Sequence, residues 1–185
     1  MLCLLLPAVM RRVRGADGRA RWEPVPSWSA ALAPVLGIVT AFTVAHSITL
    51  GLAAAGLVSL PAAFIEPAIA ATIVLAALDN LRPIFPGPRW LVTFAFGLVH
   101  GFGFAGVLGE LNLPALQFAW ALLQFNLGLE LGQVAIVLAL SLLLFALRAH
   151  RHYPRWAITG GSAAALLTGA LWFVQRTADV PLLPF

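Results

Sequence analysis

The 185-residue chain has no lysine, one cysteine, one tyrosine and only seven acidic residues, and each scarcity rules something out. Cys3 alone can close no intramolecular disulfide and build no thiolate cluster, so any metal ion held here must sit on imidazole, carboxylate or amide groups. Charged residues make up 10% of the chain, where a soluble domain carries about 25% to dress its surface. A chain that is 61% hydrophobic, with a mean hydropathy of +0.95, has too little polar surface to face water and must be wetted by lipid. The net charge of +4 and the high pI do not make it a nucleic-acid binder. All eleven basic residues are arginines, and they fall in short clusters between apolar runs, as in loops facing anionic lipid.

Five apolar runs are present: Ser29 to Val58, Pro61 to Leu81, Trp90 to Leu111, Pro114 to Leu147 and Trp156 to Val174. Each supplies the roughly 20 residues that cross a hydrocarbon core of about 30 Å. The first and fourth are longer than needed, which allows tilt or an interfacial turn. The predicted fold is all-α, a polytopic transmembrane bundle of about five spanning helices over residues 29–176. An apolar stub and basic segment over 1–28 precede it, with Arg11 to Trp28 read as a loop, and a short tail over 177–185 follows.

Arginines fix the expected orientation. Arg11, Arg12, Arg14, Arg19 and Arg21 precede the first span, Arg82 and Arg89 follow the second, and Arg148, Arg151 and Arg155 follow the fourth. Only Arg176 falls on the other side, and ten against one is a strong positive-inside bias. The N-terminal basic segment is therefore expected in the cytoplasm and the C-terminus outside it. Trp28, Trp90 and Trp156 each open a span on the basic side, as interfacial aromatics do.

Ionisable side chains inside the spans are few and expensive, so each calls for a reason. His46 lies on a polar stripe with Thr43 and Thr49, with Ser47 beside it. His100 is flanked by glycine on a ridge of Gly97, Gly101 and Ala105 that lets another helix come close. Asn126, Glu130 and Gln133 share one face of the fourth span, near a second small-residue pair, Gly128 and Gly132. Glu66 and Asp79 lie toward opposite ends of the second span, with Asp79 and Asn80 placed to meet Arg82 at the rim. Each of these has a bland reading as interhelical glue or a rim contact. Convergent imidazole and carboxylate would suit a borderline divalent transition metal such as nickel, cobalt or zinc. No HExxH pattern and no nucleotide-binding motif is present, so an ion-driven or facilitative route fits better than an ATP-driven pump.

Three blocks, AFTVAHSITLGLAAAGLVSLP, FGLVHGFGFAGVLGELNLP and FNLGLELGQ, occur in the order and spacing of the HupE/UreJ family of bacterial membrane proteins, which this chain resembles from about Val39 to Gln133. The resemblance implies a hydrogenase- or urease-associated accessory protein of the cytoplasmic membrane, a permease or binding protein for nickel or cobalt. Carried over, the family's polar positions fall on His46, His100, Asn126 and Glu130, and on Glu66; Gln133, Ser47 and Thr43 would support them. The family's usual opening block, of the type HxxxGxDH, has no counterpart here, and Met1 to Pro7 resembles the end of that first helix. An intramembrane metal-dependent hydrolase and a structural or assembly subunit are the alternative readings, and homo-oligomerisation is left open.

Overall fold

The computed structural model describes residues 2–14, 20–103 and 114–182. It begins with a single helical turn, α1 (Leu2–Leu5), and a hairpin of β1 (Met10–Arg14) and β2 (Ala20–Pro24). Long helices follow: α2 (Trp28–Ala54), α3 (Ala62–Leu81), α4 (Arg89–Phe102) and α5 (Ala115–Leu147). The last, α6 (Gly161–Ala178), is entered through a π-helical stretch, Pro154–Gly160.

Local chemistry sets the boundaries. Ser27 caps α2 in an extended conformation and accepts from the Ala30 N–H at 3.2 Å. Pro61, Pro88 and Pro114 stand immediately before α3, α4 and α5, where a fixed φ and a missing N–H cost least. Gly56 closes α2 at a φ of 70°, with its own N–H on Ala53 O and the Leu57 N–H on Leu52 O. That left-handed position is why a glycine is needed there.

Four helices among the described residues are long and apolar enough to cross a membrane: Trp28–Ala54, Ala62–Leu81, Leu116–Leu147 and Pro154–Ala178. The third expected span is described over its first 14 residues, Arg89–Phe102, about 21 Å of helix. Its remainder, including Ala105 and Leu111, lies outside the described residues. The last span starts at Pro154 and runs to Ala178, longer at both ends than its apolar core suggests.

Two helix pairs make up the bundle. α2 and α4 run parallel along the glycines of α4. A Cβ at Gly97 would stand 2.8 Å from Phe42 O and 2.9 Å from the Ala45 Cβ, and one at Gly101 would collide with the Thr49 side chain and the His46 carbonyl. α3 and α6 run antiparallel, with Gly169 against Ile73 and Val74, Glu66 on Arg176 at one end and Asn80 on Ser162 at the other. α5 is peripheral: 17% of its apolar window is buried, against 39% for α2 and for α3. Leucines such as Leu116, Leu123, Leu131 and Leu142 therefore face outward, toward lipid.

The segment before α2 is not the loop its arginines suggest. β1 and β2 pair antiparallel, with Arg11 opposite Glu23 and bonded to it at 3.2 Å. A two-stranded ribbon is marginal alone in water. Here the bundle holds it. Val9, Met10 and Val25 are buried against Ala31, Leu144, Tyr153 and Ile158. The Tyr153 hydroxyl donates to Leu6 O at 2.9 Å, and Arg148 Nε donates to Val25 O at 3.2 Å. Burial pushes the Tyr153 phenol up, so it remains a donor throughout the working pH range.

The same end of the bundle is closed by a polar node. Asp79 Oδ1 accepts from the N–H groups of Ile84 and Phe85 at 3.0 and 3.1 Å, and its Oδ2 from Arg89 at 3.3 Å. Asn80 accepts from Arg89 at 2.8 Å and donates to Cys3 O at 2.7 Å and to Ser162 Oγ at 3.1 Å. The rim partner of Asp79 and Asn80 is thus Arg89, not the exposed Arg82. Arg89 opens α4 and reaches back across the turn to both residues, whereas Arg82 directly follows α3 and is exposed.

Cys3 is held in this node, where burial raises its thiol above the usual range and outweighs the opposing pull of Ser162, Arg89 and Asn80. Maleimide should therefore label folded protein at pH 8 more slowly than unfolded protein, because only the thiolate reacts. The folded-state rate should climb at pH values above the ordinary thiol range. Equal rates in folded and unfolded protein would contradict the half-buried placement of Cys3.

Candidate functional site

The close approach of α2 and α4 brings two histidines to one aromatic ring. His46 on α2 is 2% exposed and stacks on Phe42, one turn earlier, with ring centroids 5.9 Å apart and planes 16° apart. His100 on α4 meets the same Phe42 ring edge-on, at 5.4 Å and 68°. Gly101, beside His100, allows this, since any side chain there would run into the backbone of His46. Thr49 bends inward on the same stripe and returns its hydroxyl proton to Ala45 O and His46 O.

A third helix orients His100. Thr72 on α3 lies 2.9 Å from His100 Nε2 and donates its hydroxyl proton to Ile69 O at 2.7 Å. A hydroxyl has one proton and two lone pairs. With that proton on Ile69, the oxygen accepts from Nε2–H of the imidazole and leaves Nδ1 with its lone pair; with the proton turned to Nε2, the roles of the two ring nitrogens exchange. Metal-ligating histidines are oriented in this way, one ring nitrogen tied to an oxygen acceptor and the other offered to the ion. Thr43, one turn before His46, has a buried hydroxyl oxygen with no hydrogen-bond partner among the described residues. A buried hydroxyl left unpaired costs about 1–3 kcal/mol, which a bound cation or water would offset.

The remaining candidates are placed unevenly. Ser47 points to the neighbouring face of α2 and donates to Asn126 Oδ1 at 3.3 Å, while Asn126 donates to Leu122 O at 3.1 Å. That bond joins α5 to α2 next to His46. Gln133, two turns along α5, is half-buried, and Glu130 between them is exposed. Glu66 does not reach the histidines. It pairs with Arg176 at 2.9 Å on the opposite end of α3 from Asp79, with both side chains more than a third exposed. No group of three or more His, Cys, Asp or Glu among the described residues is arranged to hold a metal ion. The contacts found at the histidines are aromatic and hydroxyl-bearing.

Thr72 and Phe42 are not among the sequence candidates. Thr72 carries a signal: it is the one polar side chain in the run Ala68 to Leu78. Phe42 carries none, because a phenylalanine in a transmembrane helix is ordinary.

A helix bundle with four membrane-length apolar helices, in which buried His46 and half-buried His100 meet where α2 crosses α4, defines a polytopic membrane protein. A family model described as HupE / UreJ protein matches residues 1–176, and the chain belongs to that family. Membership implies a role in metal uptake, of the nickel or cobalt kind, or as an accessory to hydrogenase or urease. No curated protein and no solved structure matches the chain.

Proposed function

We propose that the chain is a nickel/cobalt-type permease or metal-binding accessory protein whose transient cation site is formed by His46 and His100, with the Thr43 hydroxyl beside them. The observation that carries this reading is the contact of Thr72 with His100 Nε2 beside the Phe42 ring that His46 shares. Thr72 engages Nε2 and thereby orients the ring, which leaves Nδ1 as the nitrogen for an ion in the cluster shared with His46. Neutral imidazole suits nickel, cobalt and zinc. Two imidazoles with neutral oxygen donors hold a divalent ion less tightly than a set completed by carboxylates. Permeation requires binding that is favourable enough to enter and weak enough to leave. Among the described residues Glu66 pairs with Arg176 and Glu130 is exposed, which supports a permease over an intramembrane hydrolase that would need a carboxylate base beside the histidines.

The same reading puts the arginine-rich end in the cytoplasm and the C-terminus in the periplasm of a bacterial inner membrane. Its support is the positive-inside bias and the separation of Arg176 from the other arginines along α3 and α6. The test is accumulation of radiolabelled nickel by cells expressing the protein at matched membrane levels. His100→Ala and His46→Ala should reduce accumulation to background. Thr72→Val, which frees the ring without removing it, should weaken it by about 10–100-fold. Wild-type accumulation in both histidine variants, with only stability altered, would leave a structural subunit as the surviving reading.

A further inference from the structure

The turn between α5 and α6 carries chemistry that the intramembrane site does not use. Two grooves meet there. One, of about 380 Å³, is lined by Leu144, Leu147 and Trp156, with His150 and His152 also on its wall. The other, of about 470 Å³, is lined by His152, Arg155 and Trp156. They share His152 and Trp156, so together they form one amphipathic trough, apolar at one end and basic at the other. Arg151 adds to the basic end, donating from Nε to His152 Nε2 at 2.8 Å. Neither Arg151 nor Arg155 pairs with a carboxylate among the described residues, where the ion pairs are Arg11–Glu23, Arg89–Asp79 and Arg176–Glu66. Trp156 is 76% exposed, at the level where a span begins and where aromatic side chains sit in the headgroup layer.

We propose that this trough binds one anionic phospholipid, its headgroup phosphate on Arg151 and Arg155 and an acyl chain along Leu144, Leu147 and Trp156. Two uncompensated guanidinium groups select a lipid with net negative charge over a zwitterionic one, whose own ammonium would meet them. The apolar wall selects a lipid over a free phosphate. Guanidinium forks suit phosphate oxygens, and basic pockets between helices at a membrane surface recognise lipid headgroups of this kind.

The experiment is native mass spectrometry of the protein extracted from nanodiscs of mixed phosphatidylglycerol and phosphatidylcholine. Wild type should retain phosphatidylglycerol in preference to phosphatidylcholine. The double variant Arg151→Gln/Arg155→Gln should lower that preference by about 30-fold, the effect of two arginines at an anionic surface. Trp156→Ala should weaken retention of both lipids alike. Arg82→Gln, an exposed arginine on another turn, should change nothing. All these side chains are at the surface, so folding is not at risk, and a thermal melt of each variant checks it. Equal retention of the two lipids would overturn the proposal, as would an equal loss in Arg82→Gln. Displacement of phosphatidylglycerol by inorganic phosphate would show a simple anion site instead and would overturn it too.

Discussion

Gly101→Leu should lower the melting temperature of the protein in detergent by about 10 °C, whereas Gly128→Leu should leave it unchanged. The two glycines belong to the same sequence pattern, small residues four apart on a transmembrane helix. Gly101 lies where α4 crosses α2, and a Cβ there would collide with the Thr49 side chain and with the His46 carbonyl oxygen. A hydroxyl can rotate away; a helical carbonyl cannot. The helices must separate, and the cost should sit at the upper end of overpacking, about 3 kcal/mol. For a chain of this size that lowers Tm by about 10 °C. A Cβ added at Gly128 or Gly132 would meet nothing within 4 Å, so leucine there should cost less than about 0.5 kcal/mol. Thermal challenge followed by size-exclusion chromatography would read both. Thr49→Ala should rescue Gly101→Ala only in part, because the carbonyl contact remains. Because the His46 carbonyl is part of the collision, nickel accumulation should fall with the fold. Equal melting of Gly101→Leu and Gly128→Leu would refute the packing of α2 on α4.

The contrast between those two glycine pairs shows where sequence reading stops. A spacing of four says that a helix can approach closely, and not whether one does. Helix starts are legible because they rest on local chemistry: Ser27 as a cap, and prolines before α3, α4 and α5. The hairpin is not legible. Met10–Arg14 and Ala20–Pro24 carry too many arginines to read as strands, and what stabilises them is tertiary, the burial of Val9, Met10 and Val25 on residues that include Leu144, Tyr153 and Ile158, far along the chain.

The site is half legible for a similar reason. A histidine at mid-span announces itself by its cost, and His46 and His100 both meet Phe42. Face analysis of a single helix cannot say which helices are neighbours. Glu130 follows Asn126 by one turn, yet α5 touches α2 along so narrow a strip that Asn126 reaches Ser47 and Glu130 remains exposed. Glu66 lies on the right helix but at the wrong depth for His100. Thr72, further along α3, is the group that reaches that ring.

Asp79→Ala should cost about 3 kcal/mol, and should impair nickel accumulation without touching the histidines. Removing the carboxylate strands three donors at once: the N–H groups of Ile84 and Phe85 and one arm of Arg89. Breaking a buried ion pair by deleting one partner costs about 3–5 kcal/mol. The Arg89 side chain is 29% exposed, so solvent recovers part of that, and the lower end applies. Asp79→Asn keeps an oxygen for the two backbone donors and should cost about 1 kcal/mol. Arg89→Lys should resemble the alanine variant more than its charge suggests, because a single ammonium cannot span Asn80 Oδ1 and Asp79 Oδ2 as the guanidinium fork does. The functional effect follows from geometry. This node fixes the end of α3 against the start of α4, and from it the two helices run side by side to Thr72 and His100. A slip in that register separates the hydroxyl from Nε2 and releases the ring. Accumulation should therefore track melting temperature in the order wild type, Asp79→Asn, Asp79→Ala. Full accumulation in an Asp79→Ala protein that melts early would mean that the Thr72 bond does not orient His100 for its ion.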